Sequence, residues 1–238
     1  MRWIYFLLGI ILLPAAAICS RTCWFLLCTW WASPGGIHSI LALTAGALCW
    51  LAAMALLPAT TRAYILAHEI THALWGTIMG ARFCGMQISR SGGYVKLSER
   101  NFLTALAPYF FPFYTALILL AWWICSWFVG PAAGRLLWLA ALGASLGFHY
   151  TFTLQALIRH QEDLQPYGRL FPYIMIYCGN VCILAILAAL LAGTPLPVWT
   201  AQLSHDAQFV WTAMLCAAEW LRQSLPTFLE GRTVGSAQ

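Results

Sequence analysis

The sequence predicts an all-α polytopic membrane protein with about six transmembrane helices and one β-hairpin. Three observations lead to that prediction. Apolar residues make up 62% of the 238 residues, charged residues make up only 8%, and the apolar residues fall into runs long enough to cross a bilayer. So few charges cannot cover the surface of a soluble domain, and so many apolar residues exclude a disordered chain. The net charge of +5 is small and scattered, which indicates no nucleic-acid partner.

Residues 1–61 are predicted to hold the N-terminal membrane segments. The apolar stretch over residues 3–19 is long enough for a short span, and its alanines at positions 15–17 also suit a cleaved signal peptide. Residues 24–32 are too short to cross alone, so they extend the first helix or lie at the membrane interface. Residues 37–57 are expected to form a second, uninterrupted span.

Residues 62–193 are predicted to form the membrane core. A third apolar helix over residues 62–80 precedes the longest polar segment between spans. In that segment, residues 86–89 and 94–97 alternate apolar and polar side chains on either side of a Ser-Gly-Gly turn, which is typical of a β-hairpin. The remaining spans are expected over residues 102–128, 136–158 and 170–191.

Two prolines interrupt the fourth of these spans. Pro108 and Pro112 lie in its first half. Because proline lacks a backbone N–H and its ring clashes with the preceding turn, we expect a kink or a broken helix at this place.

Residues 194–238 are predicted to hold one more helix and a tail. Apolar side chains repeat at helical spacing over residues 199–223. This segment forms either an amphipathic helix at the membrane interface or a seventh span. The tail after Pro226 is expected to lack regular structure.

Basic residues predict the orientation of the chain in the membrane. The polar segment after the third span and the loop after the fifth span lie on the same side, because two crossings separate them. Together they hold six basic residues: Arg82, Arg90, Lys96, Arg100, Arg159 and Arg169. Loops rich in Lys and Arg face the cytoplasm, so both segments are predicted to be cytoplasmic. By the same count of crossings, Arg2 falls on the opposite side, unless the first segment crosses twice or is cleaved.

The chemistry is expected from His68, Glu69 and His72, which form the pattern His-Glu-X-X-His on the third helix. Residues i and i+4 of a helix share one face, so both imidazoles can bind one ion. Glu69 lies beside that face and can act as the general base for a water whose pKa zinc lowers to roughly 7. Ionisable side chains are costly in an apolar helix and are usually functional there. The pattern still needs a third protein ligand.

Over residues 62–191 the chain resembles the site-2 protease family, the intramembrane zinc metalloproteases. The resemblance consists of the His-Glu-X-X-His helix, the hairpin with its turn at residues 91–94, and the apolar helices that follow. An Ala-Pro pair at residues 107–108 stands where the family often has Gly-Pro. The resemblance implies a zinc cofactor, a hairpin on the cytoplasmic side, and an aspartate ligand near the cytoplasmic end of a later core helix.

The resemblance assigns that third ligand to Asp163. This residue follows the fifth span on the side predicted to be cytoplasmic, and Leu164 comes after it where the family usually has glycine. Glu162 and His160 are the alternatives in the same loop.

Three further residues are candidates for binding a substrate. Gly92 and Gly93 would let an unwound segment of substrate approach the hairpin and pair with it as an added strand; a plain solvated connection is the alternative. Asn180 lies inside the sixth span and could hydrogen-bond a substrate carbonyl. A hydrogen bond between helices is the alternative reading of Asn180.

The expected function is that of a zinc metalloendopeptidase that cuts membrane-anchored protein substrates within the lipid bilayer. The resemblance and the signal-like first segment suggest a multi-pass protein of the bacterial inner (cytoplasmic) membrane. A metal-ion transporter is one alternative, since some transporters also place His and Glu together on a helix. A membrane protein derived from a protease but without proteolytic activity is the other.

Overall fold

The computed structural model describes residues 2–56, 61–89, 92–159 and 162–234. Eight α-helices, one 3₁₀ helix and one β-hairpin make up this part of the chain. In chain order they are α1 Arg2–Ala32, α2 Gly36–Leu56, α3 Thr61–Ile78, β1 Phe83–Ile88, β2 Gly93–Leu97, α4 Phe102–Phe110, α5 Phe113–Val129, α6 Arg135–Ile158, the 3₁₀ helix Glu162–Tyr167, α7 Leu170–Ala192 and α8 Leu196–Val234.

The all-α class and the β-hairpin are confirmed, but fewer of the described helices than predicted qualify as membrane spans. Four of them, α1, α2, α6 and α7, are long and apolar enough to cross a membrane. The pair α4 and α5 makes a fifth candidate, bent by 69°. The third predicted span, α3, is not among them, because its arginine, histidine, glutamate and threonine side chains lower its hydropathy. The prediction of about six spans is therefore too high for the described residues.

Residues 24–32 continue the first helix, since α1 runs without a break to Ala32. The predicted break in the fourth span is also present. It falls at Pro112, after α4 has ended at Phe110. In an unbroken helix the carbonyl of Tyr109 would accept a hydrogen bond from the N–H four residues later. Here that carbonyl accepts instead from the Asn180 amide at 2.9 Å and from the Thr153 hydroxyl at 3.4 Å.

Helices α1 and α7 run parallel to each other. Near their N-terminal ends the rings of Tyr5 and Phe171 lie 5.4 Å apart. Near their C-terminal ends Trp30 packs in one apolar cluster with Ala188. The start of α1 therefore lies at the same end of the bundle as the start of α7, and Tyr5 also contacts Tyr167 of the 3₁₀ helix.

Helices α2 and α6 are parallel as well, and they approach closely. A Cβ on Gly143 would clash with the backbone of Leu43, so glycine is required at this crossing. Further along, the indole of Trp50 lies 3.4 Å from the hydroxyl of Thr151. The C-terminal ends of α2 and α6 therefore lie together, at the end of the bundle where the 3₁₀ helix begins.

This packing corrects the orientation predicted for Arg2. The start of α1 lies at the same end of the bundle as the 3₁₀ helix, and not at the opposite end. The count from sequence assumed that α3 crosses the membrane. In the structure α3 follows the end of α2, and the hairpin after α3 leads to Arg100, which reaches Asp163 at this same end. The segments before and after α3 therefore both lie at one end of the bundle.

The long helix α8 contains all of the predicted segment 199–223. Its first turns lie along α1, because Trp199 packs near Trp30 and Asp206 bonds to Arg21. The backbone stays helical through Val234, so the prediction of an irregular tail is wrong for residues 227–234. Residues 235–238 lie outside the described residues.

Candidate metal centre

Three side chains that could bind a metal converge where α3 meets the 3₁₀ helix. His68 and His72 project from one face of α3, and their Nε2 atoms are 3.1 Å apart. The Oδ2 atom of Asp163 lies 3.3 Å from each of these nitrogens, although Asp163 is 91 residues from His72 in sequence. Among the described residues, this is the one group of three or more candidate ligands whose donor atoms all lie within 4.8 Å of one another.

The tautomer of His72 follows from its second ring nitrogen. Nδ1 lies 2.8 Å from the carbonyl oxygen of Thr104, which can only accept, so Nδ1 carries the hydrogen. Thr104 is itself held in place, because its N–H donates to the side chain of Asn101 at the start of α4. In the neutral form of the ring this tautomer leaves the lone pair on Nε2, which faces His68 and Asp163, and metal-binding histidines adopt the same orientation.

Asp163 is held by two further donors. The guanidinium of Arg100 donates to Oδ1 at 3.2 Å, and the hydroxyl of Tyr109 donates to Oδ2 at 3.3 Å. Burial alone would raise the pKa of Asp163, but hydrogen bonds and charge interactions with His68 and His72 hold that pKa well below its ordinary value. Asp163 is therefore an anionic side chain at neutral pH.

The three groups fit a cation. Nε2 of His68, Nε2 of His72 and Oδ2 of Asp163 face one another at distances of 3.1 to 3.3 Å. A divalent ion would satisfy all three groups at once, and two imidazole nitrogens with one carboxylate oxygen form a ligand set that zinc accepts.

A cavity of about 510 Å³ opens beside this cluster, between α3, the hairpin and α6. Its wall includes Glu69, which is 7% exposed, together with the three candidate ligands. Gly92 and Gly93 also line it, as do the next two residues of β2. The structure thus brings every predicted site residue except Asn180 to one cavity.

Gly93 allows the hairpin to lie directly on α3. A Cβ at this position would be 2.8 Å from Cγ of Glu69 and 2.9 Å from Cγ2 of Ile65, closer than such atoms approach in proteins. At Gly92, by contrast, a Cβ would meet no atom of the described residues within 4 Å. The two glycines therefore have different roles, since only Gly93 fixes the distance between the hairpin and Glu69.

Asn180 does not line the cavity. Its amide donates to the carbonyls of Tyr109 and Ile176, and its side-chain oxygen lies 3.2 Å from Nε2 of His149. Ile176 lies in the same helix as Asn180, whereas the bonds to Tyr109 and His149 join α7 to α4 and α6. The Tyr109 side chain in turn contacts Asp163. Of the alternatives to Asp163, His160 lies outside the described residues, as does the side chain of Glu162.

The sequence analysis did not identify several residues that contact the three candidate ligands. Arg100 was counted only for orientation, and Thr104 and Tyr109 carry no pattern that links them to residues far away in sequence. Tyr64 could have been identified from the sequence, because it precedes His68 by four residues and therefore lies on the same face of α3. Its hydroxyl lies 3.3 Å from Nδ1 of His68.

No protein-family model matches this chain, and neither does any curated protein or solved structure. The functional assignment therefore depends on the residues and geometry described above.

Proposed function

We propose that the protein is an intramembrane zinc metalloendopeptidase, similar to site-2 proteases, that hydrolyses peptide bonds of membrane-anchored protein substrates. One observation carries this proposal. Asp163 meets His68 and His72 across a wide separation in sequence, and Glu69 lies in the wall of the same cavity. The protein would act in the lipid bilayer as a multi-pass protein of the bacterial inner membrane.

Each residue of the site has a role in this reaction. His68, His72 and Asp163 would hold the zinc ion. Bound zinc supplies a Lewis acid, which acidifies a water molecule and polarises the peptide carbonyl. Glu69 would take a proton from the attacking water on a carboxylate oxygen and return it to the leaving nitrogen. Arg100 and Tyr109 would keep the Asp163 carboxylate in position.

The hairpin offers a means of holding the substrate. A peptide bond inside a helix is shielded by the hydrogen bonds of that helix, so the substrate must be unwound before it is cut. One edge of β2 pairs with β1, and no described strand occupies the other edge. Because residues 92–95 line the cavity, an unwound segment could add to this edge beside Glu69.

The two alternatives fit the site less well. A transporter needs further binding sites along a path through the membrane, whereas the described residues hold one cluster of candidate ligands, at one end of the bundle. A protein that had lost proteolytic activity would have no need of a carboxylate beside the ligands, yet Glu69 is retained there and lines the cavity.

The test compares Glu69→Gln with the wild type after purification in detergent. Zinc content is measured by mass spectrometry, and cleavage is measured on a panel of membrane-anchored reporter proteins. We expect Glu69→Gln to keep about one zinc per chain and to lose cleavage. Glu99→Gln is the matched control, because Glu99 is an exposed acid that does not line the cavity.

Full cleavage by Glu69→Gln would contradict the proposed mechanism. Zinc uptake into liposomes by the wild type, without cleavage of any reporter, would favour the transporter instead. Zinc binding with neither uptake nor cleavage would favour the protein without proteolytic activity.

A further inference from the structure

Two exposed arginines line the cavity, and they come from different parts of the chain. Arg100 follows the hairpin, and Arg159 caps the C-terminal end of α6. On α6, the residues that line the cavity are Phe152, Gln155, Ala156 and Arg159, which share one helical face. Phe152 and Ala156 are buried, whereas Arg159 is exposed. The wall of the cavity therefore changes from apolar to cationic toward its mouth.

The charges inside the cavity make Arg159 the cation available to a ligand. Arg100 is already paired with Asp163. Among the side chains that the structure describes, no carboxylate forms an ion pair with Arg159. The two arginines balance the two carboxylates of the lining, Glu69 and Asp163, so a bound divalent ion would leave the lining net positive. A ligand whose negative charge lies near the mouth would be attracted by this excess positive charge.

We propose that the cavity selects a peptide in which an apolar stretch is followed by a carboxylate, with that carboxylate at Arg159. This inference rests on the proposed function and specifies its substrate class. The apolar stretch would contact Tyr64, Ile65 and Phe152, which line the deeper part of the cavity. The guanidinium of Arg159 would bind the carboxylate, for which its planar fork of donors is suited.

The charge at the mouth also discriminates against common membrane segments. The cytoplasmic flank of a transmembrane helix usually carries Lys and Arg. Such a flank would meet Arg159 as a like charge and would be disfavoured there. The structure therefore assigns specificity to the residues that follow the apolar stretch, and not to the apolar stretch alone.

The test measures binding separately from cleavage. Three fluorescent peptides with amidated C-termini share one apolar segment, which is followed by two aspartates, two asparagines or two lysines. Their dissociation constants are measured on zinc-loaded Glu69→Gln in detergent micelles. We expect the aspartate peptide to bind about fivefold more tightly than the asparagine peptide, and the lysine peptide to bind most weakly.

Variants of Arg159 identify the residue responsible. Arg159→Gln in the same background should remove the preference, and Arg159→Glu should reverse it. Arg169→Gln is the matched control, because Arg169 is an exposed arginine at the same end of the bundle that does not line the cavity. This control should bind like its parent.

The possible failures are distinguishable. Equal binding of the three peptides, or a preference that survives Arg159→Gln, overturns the inference even if wild-type enzyme cuts all three peptides. A preference that depends on Arg159 supports the inference, and if wild-type enzyme then cuts none of the peptides, only the proposed hydrolysis is contradicted.

Discussion

The candidate metal centre and a buried carboxylate elsewhere in the chain, Asp206, differ in the groups that surround the carboxylate. Asp206 lies between α8 and α1 with no exposed surface. It accepts from Arg21 at 3.1 Å, from Thr22 at 3.0 Å and from Gln202 at 3.0 Å. Arg21 in turn lies over the ring of Phe209. Around Asp206, donors and acceptors match.

At the candidate metal centre the groups that meet are two imidazole nitrogens and a carboxylate oxygen, within 3.3 Å of one another, and a cavity opens beside them. A carboxylate with little exposed surface is common to both places, so burial alone does not identify a functional site. A cluster of candidate metal ligands beside open space is what distinguishes this centre, and the following experiments test this distinction.

The largest effect is expected from removing a candidate ligand. His72→Ala should abolish zinc binding and lower kcat/KM by at least about 10³-fold, because the ion contributes several kcal/mol to the reaction. Zinc content and peptide cleavage measure the two losses. Asp206→Asn is the control and should keep its zinc. Zinc retained at one equivalent in His72→Ala would show that the distinction between the two places is wrong.

A large effect on stability is expected at the other carboxylate. Asp206→Ala should destabilise the protein by about 2 kcal/mol, because it removes the bond from the partly exposed Arg21 and leaves the buried Thr22 hydroxyl without its acceptor. Thermal unfolding in detergent measures the change. Replacing both partners, Arg21→Met with Asp206→Leu, should bring stability back to within about 1 kcal/mol of the wild type.

A structural role for the pair requires that zinc content and cleavage stay unchanged in the folded double variant. Loss of cleavage there, with zinc still bound, would mean that Asp206 also serves function.

An intermediate effect is expected where the hairpin lies on α3. Gly93→Ala should lower cleavage about 10- to 100-fold, since the new Cβ would displace Glu69 from its place in the cavity. Gly92→Ala should lower cleavage less than Gly93→Ala does, because a Cβ at that position would meet no described atom within 4 Å. Zinc content should be unchanged in both variants. Equal activity of the two variants would contradict a positioning role for Gly93.

The smallest effect is expected at Asn180, whose amide donates to the carbonyl of Tyr109. Asn180→Ala should lower stability by about 1–2 kcal/mol, because it leaves the carbonyl of Tyr109 with only the longer bond from Thr153. Thr153→Val, which removes that longer bond, should have less than half this effect on thermal unfolding. A larger loss in Thr153→Val would mean that Asn180 is not the main support of this carbonyl.

The predictions from sequence succeeded where a pattern is local. Length and apolar composition fixed the candidate spans, and the spacing of His68 and His72 placed them on one face of α3. The bend at Pro112 followed from the missing N–H of proline. Each of these depends on residues within a few turns of one another.

Two errors are local, namely the span predicted for α3 and the irregular tail over residues 227–234, and the others concern partners that are distant in sequence. Hydropathy located Asn180 inside an apolar helix but could not show that its partner is the carbonyl of Tyr109, 71 residues earlier. Arg21 and Asp206 were each unremarkable alone, and only the packing of α8 on α1 pairs them. The orientation of Arg2 was wrong because the count of crossings depends on α3, whose two ends lie at one end of the bundle. Asp163 was reached through resemblance to a family, because nothing in the local sequence selects it.

The break at Pro112 also has a consequence for how this sequence can change over generations. Because the break frees the carbonyl of Tyr109, the amide of Asn180 has an acceptor that an unbroken helix would use for itself. A descendant that replaced Pro112 and restored the helix would leave Asn180 with one acceptor fewer, and a descendant that lost Asn180 first would leave the carbonyl poorly satisfied. Pro112 and Asn180 should therefore be inherited and lost together, although they lie in different helices.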